Sequence, residues 1–106
     1  MNKPVDFIAI LKYRSTEDGG RKTPATSGYR PGIRFPFGDM QTSGQQTFIN
    51  TDKARPGETV EAEIKIVSVD YCENRLEEGM NFEFLEGNTV IGTGAIIKIL
   101  NEKLRR

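Results

Sequence analysis

The chain has 106 residues and a mass of 11.9 kDa, enough for one domain with its own core and too little for a nucleotide-binding domain plus another. Hydrophobic residues make up 36%, and 15 basic residues balance 15 acidic ones, so no net charge draws the chain toward nucleic acid or an anionic membrane. Histidine is absent, which removes the commonest general base and the commonest zinc ligand.

The balance is uneven along the chain. Residues 1–56 hold nine Lys/Arg and five Asp/Glu, and residues 57–106 hold six and ten. Folding mixes these halves, so ordinary solvated surface and a basic face both stay open. The single Cys72 has no partner for an internal disulfide and no His to activate it. It reads as a structural thiol in a reducing compartment. No apolar run approaches 18 residues, and MNKPVDFIAILKY lacks the pattern of a secretory leader. A cytoplasmic location is expected, as a complete small gene product beginning at Met1.

Helical periodicity is absent, while β-branched and aromatic runs recur between Gly and Pro punctuation. Val5–Tyr13 reads as a first strand, apolar on both faces with Asp6 and Lys12 near its ends, followed by a polar loop over Arg14–Gly28. Tyr29–Phe37 reads as a second strand, bent or at an edge because Pro31 and Pro36 cannot donate to a ladder. Gly38–Gly44 is assigned to a turn and Gln45–Ile49 to a third strand. Asn50–Gly57 is a loop whose Pro56-Gly57 pair suits a type II turn. Glu58–Val69 alternates strictly, Val60, Ala62, Ile64 and Ile66 against Glu61, Glu63 and Lys65. Asp70–Gly79 connects to a fifth strand at Met80, Phe82 and Phe84. Glu86-Gly87-Asn88 is a hairpin turn, and Thr89–Leu100 a sixth strand in which Gly92 and Gly94 mark a bend or a close approach. Residues 101–106 form a charged tail expected to fray. The expectation is an all-β chain: one domain over 1–106 with its core at about 5–100, folded as a small closed six-stranded antiparallel barrel.

Catalytic patterns are missing. No Gly-Lys pair exists for a phosphate loop, and Gly92-Thr93-Gly94 lacks the third glycine of a dinucleotide fingerprint. The carboxylates Glu77-Glu78 and Glu58/Glu61/Glu63 carry no sign of desolvation. A catalytic role would rest on Cys72 or a carboxylate pair, and no enzyme, metal or cofactor is expected. Two groups of segments stand out. GGRKTP (19–24) with GYRP (28–31) projects Arg21, Lys22 and Arg30, which suit phosphate contact. The alternative is a structural loop in which Arg30 bonds carbonyls and Tyr29 packs on the barrel end. RPGETV (55–60), GMNFEFLEG (79–87) and VIGTGAII (90–97) carry strand and turn chemistry.

Taken in order, these segments resemble the C-terminal β-barrel, the third domain, of translation elongation factor Tu. That family reads GGRHTPF, GYRP, TTDVTG, a PGD turn and GLRFAIREGGRTVGAGVV. This chain has GGRKTPA, GYRP, MQTSG, RPGETV and GMNFEFLEGNTVIGTGAII, from Asp6 to Leu100. In the family the barrel follows a GTPase domain and a second barrel. It contacts the T stem of aminoacyl-tRNA, the exchange factor and the GTPase domain. The resemblance implies an RNA-backbone patch of Arg21, Lys22, Ser43, Glu86 and Gly87, with Tyr29, Arg30, Asn81 and Glu83 as loop or partner-facing candidates. Several positions depart. Asn88 and Thr89 replace Gly and Arg, Asn81 and Glu83 replace the Arg and Ala near the GTPase-domain contact, and Ala25-Thr26 replace two Phe. About two residues are added between GYRP and the TSG turn. No GTP binding is expected of this chain. Two partners stay open: tRNA or another structured RNA met through backbone contacts in a translation-related role, or a protein, translation-related or otherwise, with no RNA role.

Overall fold

The computed structural model describes residues 4–106. Eight strands follow in order: β1 (Phe7–Tyr13), β2 (Ala25–Thr26), β3 (Gly32–Arg34), β4 (Gln41–Phe48), β5 (Lys53–Ala54), β6 (Thr59–Ile66), β7 (Asn81–Glu86) and β8 (Thr89–Ile99). Six of them close into an antiparallel barrel in the order β1-β6-β4-β3-β7-β8, while β2 and β5 pair as a separate ribbon. Closure leaves the barrel with no free sheet edge.

Alternation sets the faces. β1 sends Phe7, Ala9, Leu11 and Tyr13 inward, β6 sends Ala62, Ile64 and Ile66, and β7 sends Phe82 and Phe84. The rings fill the cylinder in two groups. Phe7, Phe35 and Phe82 meet at centroid distances of 5.7 to 6.4 Å. Tyr13 meets Phe84 at 4.8 Å and Phe48 at 6.2 Å. Gly92 and Gly94 make this packing possible, because a Cβ at either would land on the Phe84 or Phe82 ring. The close approach, rather than a bend, is what those glycines serve. The Pro56-Gly57 turn forms as expected, with Glu58 N–H donating to Arg55 O at 3.0 Å and Gly57 at φ 87°.

Four expectations need correction. The strand placed at Tyr29–Phe37 is only Gly32–Arg34, bounded by Pro31 and by a turn in which Gly38 N–H donates to Phe35 O. The turn placed at Gly38–Gly44 already belongs to β4 from Gln41 onward, in a strand whose inward residues Thr42, Gly44 and Gln46 show no apolar alternation. The loops at 14–28 and 50–57 each supply two residues to the β2–β5 ribbon, which buries Ala25 and Ala54.

The tail is held rather than frayed. Glu102–Leu104 forms a 3-10 turn with Leu104 fully buried, and the backbone of Asn74, Leu76 and Arg106 ties the tail to the 74–76 segment at 2.8 to 2.9 Å. Asp6 anchors its start. This buried carboxylate accepts from Ile66 N–H at 2.7 Å and from Asn101 Nδ2 at 2.9 Å.

Candidate functional site

The loop after β1 is folded by its own polar groups. Gly20 N–H donates to Ser15 O at 2.8 Å, and Thr16 Oγ1 donates to Arg21 O at 2.7 Å. This carries Arg21 across to the β7–β8 hairpin. Its guanidinium pairs with the Glu86 carboxylate and donates to Thr23 O at 3.2 Å and Thr23 Oγ1 at 3.3 Å. It also lies 4.7 Å from the Tyr29 ring centroid. Tyr29 donates its hydroxyl to the same Glu86 oxygen. Arg21, Tyr29 and Glu86 therefore form one closed constellation, and the two glycine-arginine loops meet at one place.

The electrostatics follow from burial and pairing. Burial, then the hydrogen bond to Glu86, pushes the Tyr29 hydroxyl well above the usual tyrosine range. Burial does the same for Tyr13. For Arg21 burial works against the charged form, but the contacts with Tyr29 and Glu86 outweigh it and hold the guanidinium more firmly protonated. Beneath this layer Tyr13 donates to Gln46 Oε1 inside the barrel, while Gln46 Nε2 has no hydrogen-bond partner among the described residues.

The other candidates spread outward. Gly87 O accepts from Gln41 Nε2 at 3.3 Å. Ser43 is half-buried and pairs with Gly32, which pairs on its other side with Leu85. Ser43 therefore stands two strands from the hairpin, about 10 Å, and outside the Arg21 constellation. Lys22 and Arg30 are exposed, and neither forms an ion pair among the described residues. Glu17 and Asp18 sit exposed in the same loop as Lys22. Glu17 and Asp18 thus share the 14–28 loop with Arg14, Arg21 and Lys22, and Glu86 pairs with Arg21 across the hairpin.

Asn81 and Glu83 belong to a different place, toward the start of β7. There Glu83 faces Arg34 across the β3–β7 ladder, and one carboxylate oxygen accepts from Nε at 3.1 Å and from a terminal nitrogen at 2.6 Å. The pair flanks an open cleft of about 510 Å³ bordered by Pro36, Asp39, Asn81 and Thr93. Arg34 was not singled out in the sequence, and neither were Gln41 and Gln46. None of the three lies in a motif, and the inward residues of β4 before Phe48 are polar or glycine, so Gln46 carries no hydrophobic signal of its inward position.

Burial pushes the Cys72 thiol up to about 11, so it is protonated at neutral pH and inert as a nucleophile. Among the described residues no group of three or more His, Cys, Asp or Glu is placed to hold a metal ion, and no helix is long and apolar enough to cross a membrane. The sequence matches no protein-family model.

Proposed function

We propose that this chain is a non-catalytic binding module, akin to the C-terminal barrel of elongation factor Tu, whose partner is a protein docking at the Arg34–Glu83 cleft. The observation that carries this reading is the state of Arg21. Its guanidinium already holds a carboxylate, an aromatic face and a threonine, so a phosphate would have to displace Glu86 before gaining that cation. With Glu17, Asp18 and Glu86 close by, the loops offer little net positive potential to a polyanion. The cleft offers instead a mixed surface of charged, amide and apolar groups, as protein interfaces do. The module works without cofactor, metal or GTP in the cytoplasm.

The test is capture of a partner from nuclease-treated lysate by the wild-type chain and by Asn81→Arg/Glu83→Arg. A partner retained by wild type and lost by the variant supports the cleft. Equal capture by both rejects it.

A second reading, contact with tRNA or other structured RNA, is favoured by Lys22 and Arg30, exposed and unpaired among the described residues. It calls for salt-sensitive tRNA binding with a log-log slope of about −2, set by those two cations, that Lys22→Ala/Arg30→Ala abolishes. Affinity unchanged in that double variant rejects RNA contact there.

A further inference from the structure

The barrel wall around β1 turns Ile8 and Ile10 outward, and β8 places Ala95 and Ile97 beside them. Ile10 is 41% exposed and Ile97 42%. Ile97 is outward because the β1–β8 register steps past it: Ile8 faces Lys98 and Ala9 faces Ile96. Charge lies on both flanks of this apolar strip. Ile8 has Glu63 opposite it on β6 and Lys98 opposite it on β8, so a carboxylate and an ammonium stand at one height on either side of β1. Ile10 has Glu61 on the β6 side and Ala95 on the β8 side. Glu63 and Lys98 are two strand spacings apart, about 10 Å, with Ile8 between them. Among the described residues neither they nor Glu61 and Lys12 form an ion pair.

We propose that this strip is a self-complementary surface that docks a second copy of the chain, with a two-fold axis running along β1. Rotation about that axis exchanges the flanks. Glu63 of one copy comes over Lys98 of the other, and the same contact repeats on the far side, as an isologous interface requires. Ile8 and Ile10 lie near the axis and cover their own counterparts. Lys12 falls diagonal to Glu61 of the other copy, and Lys65 extends the β6 row beyond Glu63. The strip alone is smaller than the ~800 Å² per partner of a standard interface. The dimer is therefore weak, with a Kd of about 0.1–1 mM.

Sedimentation equilibrium of the full chain, up to about 1 mM, tests this with four variants. Wild type is expected to gain mass with concentration, less so as salt is raised. Ile10→Glu, at an exposed position, is expected to stay monomeric while keeping the wild-type circular dichroism spectrum. Glu63→Lys and Lys98→Glu alone should each weaken association about tenfold, and the double swap should restore it. Wild type remaining monomeric throughout overturns the proposal, whether or not the strip binds another protein. So does association that Ile10→Glu leaves intact, which places it on another face. A double swap no better than the single variants overturns the two-fold arrangement.

Discussion

Gln46 is fully buried with half of its amide satisfied: Oε1 accepts from Tyr13, and Nε2 has no partner among the described residues. Removing the hydroxyl alone leaves the second end of the amide bare, and an orphaned buried polar group costs about 1–3 kcal/mol. Tyr13→Phe should therefore destabilise by about that much in a urea titration. Tyr13→Phe combined with Gln46→Leu should return to within about 1 kcal/mol of wild type, because both polar partners are then gone. A double variant as unstable as the single one would contradict this account. Glu86 poses the complementary case at the surface. Its pair with Arg21 is half-exposed, so Glu86→Gln should change stability by no more than about 1 kcal/mol. The same change frees the guanidinium and removes a negative charge, so weak low-salt tRNA binding should rise several-fold. An unchanged affinity would show that Glu86 is not what shields that face.

Single strands carry their own sensitivities. β8 lies against the rings of β7 without side chains at Gly92 and Gly94, so Gly94→Ala drives a methyl into Phe82. Overpacking of this kind costs about 1–3 kcal/mol, visible as a lowered urea midpoint with an unchanged slope. The closing segment depends on charge. Glu78 accepts from Arg105 at 2.7 Å and from Ile99 N–H at 3.0 Å, and the Arg105 hydrogen bond, then the Ile99 one, hold its carboxyl below the ordinary 4.5. A carboxyl depressed in the folded state supports folding above its unfolded value and loses that support as pH falls through the lower folded value. The tail should thus loosen below pH 4.5, seen as a loss of amide-exchange protection at Leu104 and Arg105 once the intrinsic rate at each pH is divided out. Glu78→Gln should show the loosened tail already at neutral pH.

At the scale of the whole molecule, the barrel is closed and its contents respond together. Cys72, at the end of a 3-10 turn, is fully buried in the same core as Phe7, Ile64, Leu76 and Leu104. Burial pushes its thiol to about 11, so a disulfide reagent at pH 8 should label it only through opening of that core. The labelling rate should rise as global stability falls across the variants above. Fast labelling of the folded chain would place Cys72 in a locally opening segment.

The cylinder was legible where residues alternate. In β6 and β7 the inward apolar side chains fall at every second position, and a sheet with one buried face admits no other register, whereas Phe7–Leu11 of β1 is apolar on both faces and only its pairing decides which face turns inward. β4 was half missed because QTSGQQTF buries Thr, Gly and Gln, whose polarity hides the inward face. The β2–β5 ribbon and the clasped tail were missed because each is a short piece stabilised by a distant partner rather than by its own pattern. The candidate site divides in the same way. The loop that presents Arg21 was visible in its glycines and threonines, but its ion pair joins residues 65 apart in the chain, and the Arg34–Glu83 pair joins residues 49 apart.

Sequence alone therefore determined which residues face inward where apolar and charged residues alternate, as in β6 and β7, where the Pro56-Gly57 turn lies, and that histidine chemistry is missing. Only the tertiary structure decided which charges neutralise one another, that Asn81 and Glu83 stand apart from Arg21, and that the last six residues are held. Facing and turning are local consequences of a period of two and of glycine and proline geometry. Charge pairing depends instead on how the strands are ordered and staggered on closure, which no short stretch of chain encodes.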